Sequence, residues 1–257
     1  MPSKLALLLL LSLLAQPLLA AQTLPQFDQQ SEARQPLVVE LFTSQGCSSC
    51  PPMERWLSGF KQETGLWRDY FPLAFHVTYW NYLGWRDPFS RRAFSRRQYD
   101  YLNHKGIAQV YTPQLVINGR EWRPGDQGLL PDEVAMRPFV GKLSVTIAGQ
   151  AVTATFDSQL PSNEGLTLHL ALLGSGMATQ VGRGENSGKY LREDFVVLSH
   201  QHFRGIDAKV VSFSGTVAAL PGEAREAKRL AWVAWIEQDH LPLQAVGAWL
   251  ENEPIDE

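Results

Sequence analysis

Only two cysteines occur in this 257-residue chain, Cys47 and Cys50, so neither a multi-disulfide scaffold nor a four-cysteine zinc site can be built from it. A second CxxC and an HxxxH are also missing, which removes the usual spacings of a structural zinc centre. Charge of one sign is not in excess: the formal net charge is -3, too small to imply a nucleic-acid or anionic-membrane partner. Past the first few residues there is no long apolar run to span a membrane, and there is no internal repeat. The nearest thing to a biased tract is a Gln-containing stretch over residues 22 to 35, which reads as a flexible lead-in.

What is present begins with an expected export signal over residues 1 to 21. Lys4 supplies the charged start, Leu5 to Leu14 the apolar run, and Ala20 and Ala21 the small residues at a cleavage site. The mature protein is therefore expected to be exported, periplasmic if the source is Gram-negative, and without stable membrane insertion. About 235 residues remain, enough for two ordinary domains. A hydrophobic content of 44% and an aromatic content of 11% suffice to build their cores.

Leu37 to Phe42 is a short apolar, β-branched run that reads as a buried strand. Thr43 to Gly46 makes a turn, the cysteines follow, and Pro51-Pro52 suits the first turn of a helix, where a missing N–H costs nothing. Met53, Trp56, Leu57 and Phe60 carry that helix to about residue 62. Residues 71 to 78 form an expected second strand, Pro88 to His104 a helix, and Val110 to Ile117 a third strand, with Asn118-Gly119 as a hairpin turn. Beyond about residue 140 the pattern changes to alternating strands such as Leu143-Val145-Ile147 and Val152-Ala154-Phe156, the mark of an antiparallel sandwich or partial barrel. The expected division is an α/β domain over 36 to 138 and a mainly antiparallel, β-sandwich-like domain over 140 to 250.

A pair two residues apart closes too short a loop to staple a fold, so its uses are thiol–disulfide exchange or soft-metal binding. At a helix start, unpaired N–H groups and the helix dipole favour a thiolate, which makes Cys47 the candidate nucleophile and Cys50 the resolving thiol. Thr112-Pro113, at the head of the third strand, is where a cis peptide can leave backbone free for an extended partner. His76 and Trp80 are candidates for the wall of the same groove. The rival reading is a Cu(I) site made by Cys47, Cys50 and His76. The other is a non-catalytic envelope binding module whose function maps to the β region. His200 and His202 read as surface histidines, and Arg91-Arg92 and Arg96-Arg97 as the solvated face of a helix. Arg86 and Asp87 are expected to pair with each other, or Asp87-Pro88 to cap the helix. The glycine-rich stretch Gly182 to Gly188 lacks the Gly-Lys-Ser/Thr ending of a phosphate loop. It reads as a structural loop, with Glu185 and Asn186 docking against the first domain.

The segments Val39 to Pro51, Phe75 to Phe89, Arg97-Gln98, Val110 to Gln114 and Gly184 to Gly188 together resemble the secreted thioredoxin-like family catalogued as domain of unknown function 1223. The resemblance covers most of the mature chain. It implies a thioredoxin-like fold for the first domain and an exported location, and it implies no particular substrate. Ordinary thioredoxins carry a tryptophan before the first cysteine, where this chain has Gly46, and their buried acid has no counterpart that the sequence alone locates. The expected activity is thiol–disulfide exchange on protein or peptide thiols with no organic cofactor. A homodimer formed through the β domain fits the same reading.

Overall fold

The computed structural model describes residues 26–123, 137–206 and 208–250; the expected export signal lies outside them. The protein is mostly β, with few helices and several antiparallel pairings. β1 (Phe27–Gln30) lies inside the stretch expected to be a flexible lead-in and instead pairs antiparallel with β6 (Gly141–Ala148). Phe27 anchors it, buried between the sheets, an anchor that Gln-rich composition hides.

β2 (Leu37–Thr43) is buried at all seven positions because both its edges and both its faces are covered. It runs parallel to β3 (Tyr70–His76) and antiparallel to β4 (Gln114–Ile117), and β5 (Arg120–Trp122) closes a hairpin with β4. Asn118 and Gly119 turn that hairpin with φ of 45° and 82°, the left-handed values a two-residue turn demands. α1 (Cys50–Ser58) connects β2 to β3, with proline in its first turn and a 3-10 turn over Gly59–Gln62 at its end. α2 (Arg92–Asn103) connects β3 to β4 and starts after Arg91, four residues later than the expected Pro88. The reason is that Asp87 does not cap the helix or pair with Arg86 but turns inward, as described below.

The strands after residue 140 do not stand apart. β7 (Ala151–Ser158), β8 (Thr167–Ser175), β11 (Val196–Arg204), β12 (Val210–Thr216), β13 (Arg229–Gln238) and β14 (Leu241–Trp249) divide between two sheets. One is the eight-stranded sheet β14-β13-β8-β11-β3-β2-β4-β5, in which β11 adds parallel to β3 through Val196 and Ala74. The other, β1-β6-β7-β12, faces it to make the sandwich. Leu168, Leu170 and Leu172 of β8 point into the sandwich core, while Ala171 and Leu173 point to the opposite face, where they meet Phe75, Phe94 and Tyr101. β8 is thus apolar on both faces, which the alternating reading of its leucines did not anticipate.

Arg97 corrects the expected solvated face of α2: Arg96 is exposed, but Arg97 is buried. Its guanidinium donates to Glu40 of β2 at 2.5 Å, to Glu237 of β13, and to the Tyr101 hydroxyl at 2.8 Å. Burial disfavours charge on Glu237, yet the Arg97 guanidinium holds its carboxyl well below the usual range. Burial and the neighbouring Glu237 push Glu40 upward.

His200, expected at the surface, is half-buried. Its ring stacks at 5.1 Å on His169 and 5.3 Å on Trp235, and the His169–His200 contact is 2.9 Å. Of His200 and His202, His202 is the exposed one.

Candidate functional site

β2 ends at Thr43, and the chain then turns sharply: the Cys47 N–H donates to the Ser44 carbonyl at 3.1 Å and the Cys50 N–H to the Cys47 carbonyl at 3.3 Å. Cys47 and Cys50 form a disulfide, with Cys50 the first residue of α1. The Cys47 sulfur lies 3.3 Å from the Ser49 hydroxyl. A Cβ on Gly46 would sit 3.1 Å from the Trp80 Cβ, so the packing of Trp80 accounts for the absence of a side chain there.

Both cysteines have 0% exposure. The distant glycine-rich loop, which joins β9 (Met177–Gln180) to β10 (Tyr190–Glu193), docks on the cysteine turn. Glu185 accepts from the Ser48 N–H at 2.9 Å and from its hydroxyl at 2.7 Å. Asn186, fully buried, donates through Nδ2 to the carbonyls of Gln45 at 2.9 Å and Cys47 at 2.8 Å, and its Oδ1 accepts from the Lys189 ammonium at 2.8 Å. The docking of Glu185 and Asn186 anticipated from sequence is present, and its target is the cysteine turn itself.

Trp80 touches Gly46 and donates from Nε1 to the Thr112 hydroxyl at 2.6 Å. It therefore ties the cysteine turn to the Thr112-Pro113 turn, whose peptide bond is cis. The register of β2 against β4, with Phe42 opposite Gln114, brings that turn beside the end of β2. Gln98 of α2 fixes it from behind, donating to the Tyr111 carbonyl at 2.8 Å and to Gln114 at 2.7 Å. Thr112, Pro113 and Trp80 are half-buried, so part of each faces solvent.

His76 differs from its expected place in a groove wall, because its side chain is wholly buried. Nδ1 lies 2.7 Å from Asp87 Oδ2, and Phe89 packs edge-on against the ring. Asp87 also accepts from the N–H groups of Gln45 and Phe89, both at 2.9 Å. Nε2 points instead toward Glu193 Oε1 at 3.9 Å, and both atoms lack a hydrogen-bond partner. Glu54 of α1 completes the group, with its carboxylate accepting from Thr43 at 2.5 Å. The structure thus groups His76 with Glu54 and Glu193, and not with the sulfurs, which are bonded to each other.

Burial opposes charge on His76, but the Asp87 carboxylate more than offsets it and raises the imidazole to about 9. Burial, reinforced by the charge of Glu54, raises Glu193 to about 8, and burial also raises Glu54. Sequence reasoning did not select Glu54, Asp87 or Glu193. Two of them carried a usable signal. Glu54 stands one helical turn after Cys50 on the same face, and Glu193 shares the inward period-two face of β10 with Leu191.

The model of the family described as protein of unknown function DUF1223 matches residues 38–237, from the start of β2 to the end of β13. The chain belongs to this family. The matched span contains the cysteine turn, the covering loop and every member of the buried cluster, so this DUF1223 chain's site lies wholly within the family's extent. No curated protein matches it. Among solved structures, the DUF1223 chain is similar to a protein of Agrobacterium tumefaciens at 24% identity and a TM-score of 0.61, covering 88% of this chain and 99% of that one. It is also similar to HBP35 of Porphyromonas gingivalis at 13% identity and a TM-score of 0.57, covering 88% and 80%. At such identities the likeness concerns the fold alone.

Proposed function

We propose that this DUF1223 protein is an exported thiol–disulfide oxidoreductase acting on protein or peptide thiols, with Cys47 as nucleophile and Cys50 as the resolving thiol. The observation that carries the reading is the Cys47–Cys50 disulfide at the first turn of α1, directly after the buried strand β2. The order β2-α1-β3-α2-β4-β5, with β2 and β3 parallel and β4 antiparallel, supports a thioredoxin-like unit over residues 37 to 122. An exported, periplasmic setting is consistent with a persistent disulfide.

In the oxidising direction, a partner thiolate attacks Cys47 Sγ and expels the Cys50 thiolate. A second partner thiolate then attacks the mixed disulfide and expels Cys47, leaving two protein thiols and one partner disulfide. In the reducing direction the Cys47 thiolate attacks a partner disulfide, and Cys50 releases the reduced partner. α1 stabilises the thiolate through its unpaired N–H groups and dipole. Trp80, Thr112 and Pro113 form the half-buried rim on which an extended peptide rests. His76 does not touch the partner, because its side chain is wholly buried. Because both sulfurs are covered, exchange requires the 181–189 loop to lift.

The test is alkylation trapping of the metal-free protein across a glutathione series. A reversible couple, with Cys47 alkylated faster than Cys50 near neutral pH, supports exchange. A pair that does not close, or reacts only after unfolding, refutes it.

A further inference from the structure

We propose that Glu54, His76 and Glu193 form a binding site for one divalent transition-metal ion of the Zn2+ type, separate from the cysteine pair. One donor atom from each lies within 4.8 Å of the others, and all three side chains are buried. They come from three elements, α1, β3 and β10, so the fold itself brings the donors together.

Each donor is held from behind, as metal ligands are. Asp87 fixes Nδ1 of His76 at 2.7 Å, which leaves Nε2 as the coordinating nitrogen. Thr43 holds Glu54 at 2.5 Å, and Gln45 Nε2 donates to Glu193 Oε2 at 2.7 Å, which leaves Oε1. His76 Nε2 and Glu193 Oε1 are the two atoms that face each other at 3.9 Å without a partner. Buried polar atoms are otherwise almost always satisfied, and buried charges are paired or coordinate metals.

Charge points the same way. Glu54, Asp87 and Glu193 place three carboxylates around one imidazole, and among the described residues no lysine or arginine forms an ion pair with any of them. A divalent cation takes the place of the protons that these groups otherwise hold, the one on His76 Nε2 included, so its binding releases protons. Ca2+ needs six to eight oxygens and Mg2+ keeps several waters, so a tight site with one imidazole and two carboxylates favours a Zn2+-type ion. Bonds of about 2.0 to 2.2 Å in a tetrahedral shell set donors roughly 3.3 to 3.6 Å apart, so donor pairs that lie within 4.8 Å of one another need to close by up to about 1.5 Å.

The test uses the full protein with Cys47–Cys50 oxidised, stripped by chelator and equilibrated with Zn2+ against a competing chromophoric chelator. One equivalent should bind. Glu193→Gln and Glu54→Gln should each weaken binding at least tenfold, and Asp87→Asn between tenfold and a hundredfold. The double variant Cys47→Ser/Cys50→Ser should bind as the wild type does, which separates this site from the redox pair. Near-UV circular dichroism confirms that each isosteric variant is folded. No Zn2+ uptake by the folded oxidised protein, or unchanged affinity in both glutamine variants, overturns the proposal. Either result leaves the exchange activity to its own test.

Discussion

Asn186→Ala is the perturbation that most directly examines the cover over the disulfide. In the closed state the Asn186 amide satisfies two buried carbonyls, those of Gln45 and Cys47, and receives the Lys189 ammonium. A hydrogen bond contributes about 1 kcal/mol net, and a carbonyl left dry and unpaired costs about 1 to 3 kcal/mol. Water enters part of the gap left by the truncated side chain, so the closed state loses about 2 to 3 kcal/mol. The open state has already lost these bonds and is unaffected. Opening then becomes roughly 30- to 150-fold more populated, at tenfold per 1.4 kcal/mol. If dithiothreitol reaches the sulfurs only through that opening, the pseudo-first-order reduction rate rises by the same factor. Acid quenching followed by maleimide mass labelling measures it. Glu185→Gln, which perturbs an exposed contact, should accelerate reduction only a few-fold. Equal rates in wild type and a folded Asn186→Ala variant would refute local gating. So would a reduction rate that instead tracks global stability in a variant that does not touch the covering loop.

Arg97→Met supplies that control: it strands Glu40 and Glu237 without their cation and should lower stability by about 3 to 5 kcal/mol in urea unfolding, whereas a loss below about 1 kcal/mol would contradict the buried ion-pair account. A further prediction concerns pH. Burial, then the charges of His169, Arg97 and His202, hold His200 well below its ordinary value, with Glu237 alone pulling upward, and Phe75 and Trp235 complete its surroundings. A depressed histidine contributes stability above its unfolded value of about 6.5 and loses it as pH falls further. His200→Phe should therefore gain on wild type by up to about 1.4 kcal/mol per pH unit below about 6.5, read from urea midpoints at pH 7.5 and 5.5; a pH-independent difference would contradict a neutral His200.

Local chemistry was legible in the sequence, and long-range polar pairing was not. Leu37 to Phe42, the turn, CxxC and the prolines are consecutive, so strand and helix could be read in order. Asn118-Gly119 announced its hairpin because only left-handed backbone closes so short a loop. Arg97 could not be placed, because its acids stand 57 and 140 residues away and nothing in an Arg-Arg pair says which member turns inward. His76 and Asp87 were seen separately; their pairing depends on the loop between β3 and α2 folding back under Gln45. β8 illustrates the same limit for apolar residues. Its alternating leucines announced one buried face, and only the pairing of β11 with β3 supplied the second.

That pairing also explains how the covering loop reaches its target. β8, β9, β10 and β11 follow one another closely, so once β11 is fixed beside β3 the β9–β10 ribbon must rise from the same end of the sheet at which β2 delivers the cysteines. Gln45 then joins everything that meets there. Its N–H donates to Asp87, its side-chain amide donates to Glu193 and accepts from Trp85, and its carbonyl accepts from Asn186. A lifted loop removes Asn186 from Gln45 and shifts β10, which carries Glu193, so the state of the disulfide cover and the geometry of the buried His76 cluster are coupled through one residue. Zn2+ bound at Glu54, His76 and Glu193 would pin β10 and hold the loop down, and it should slow reduction of the disulfide in wild type while leaving Asn186→Ala much less affected.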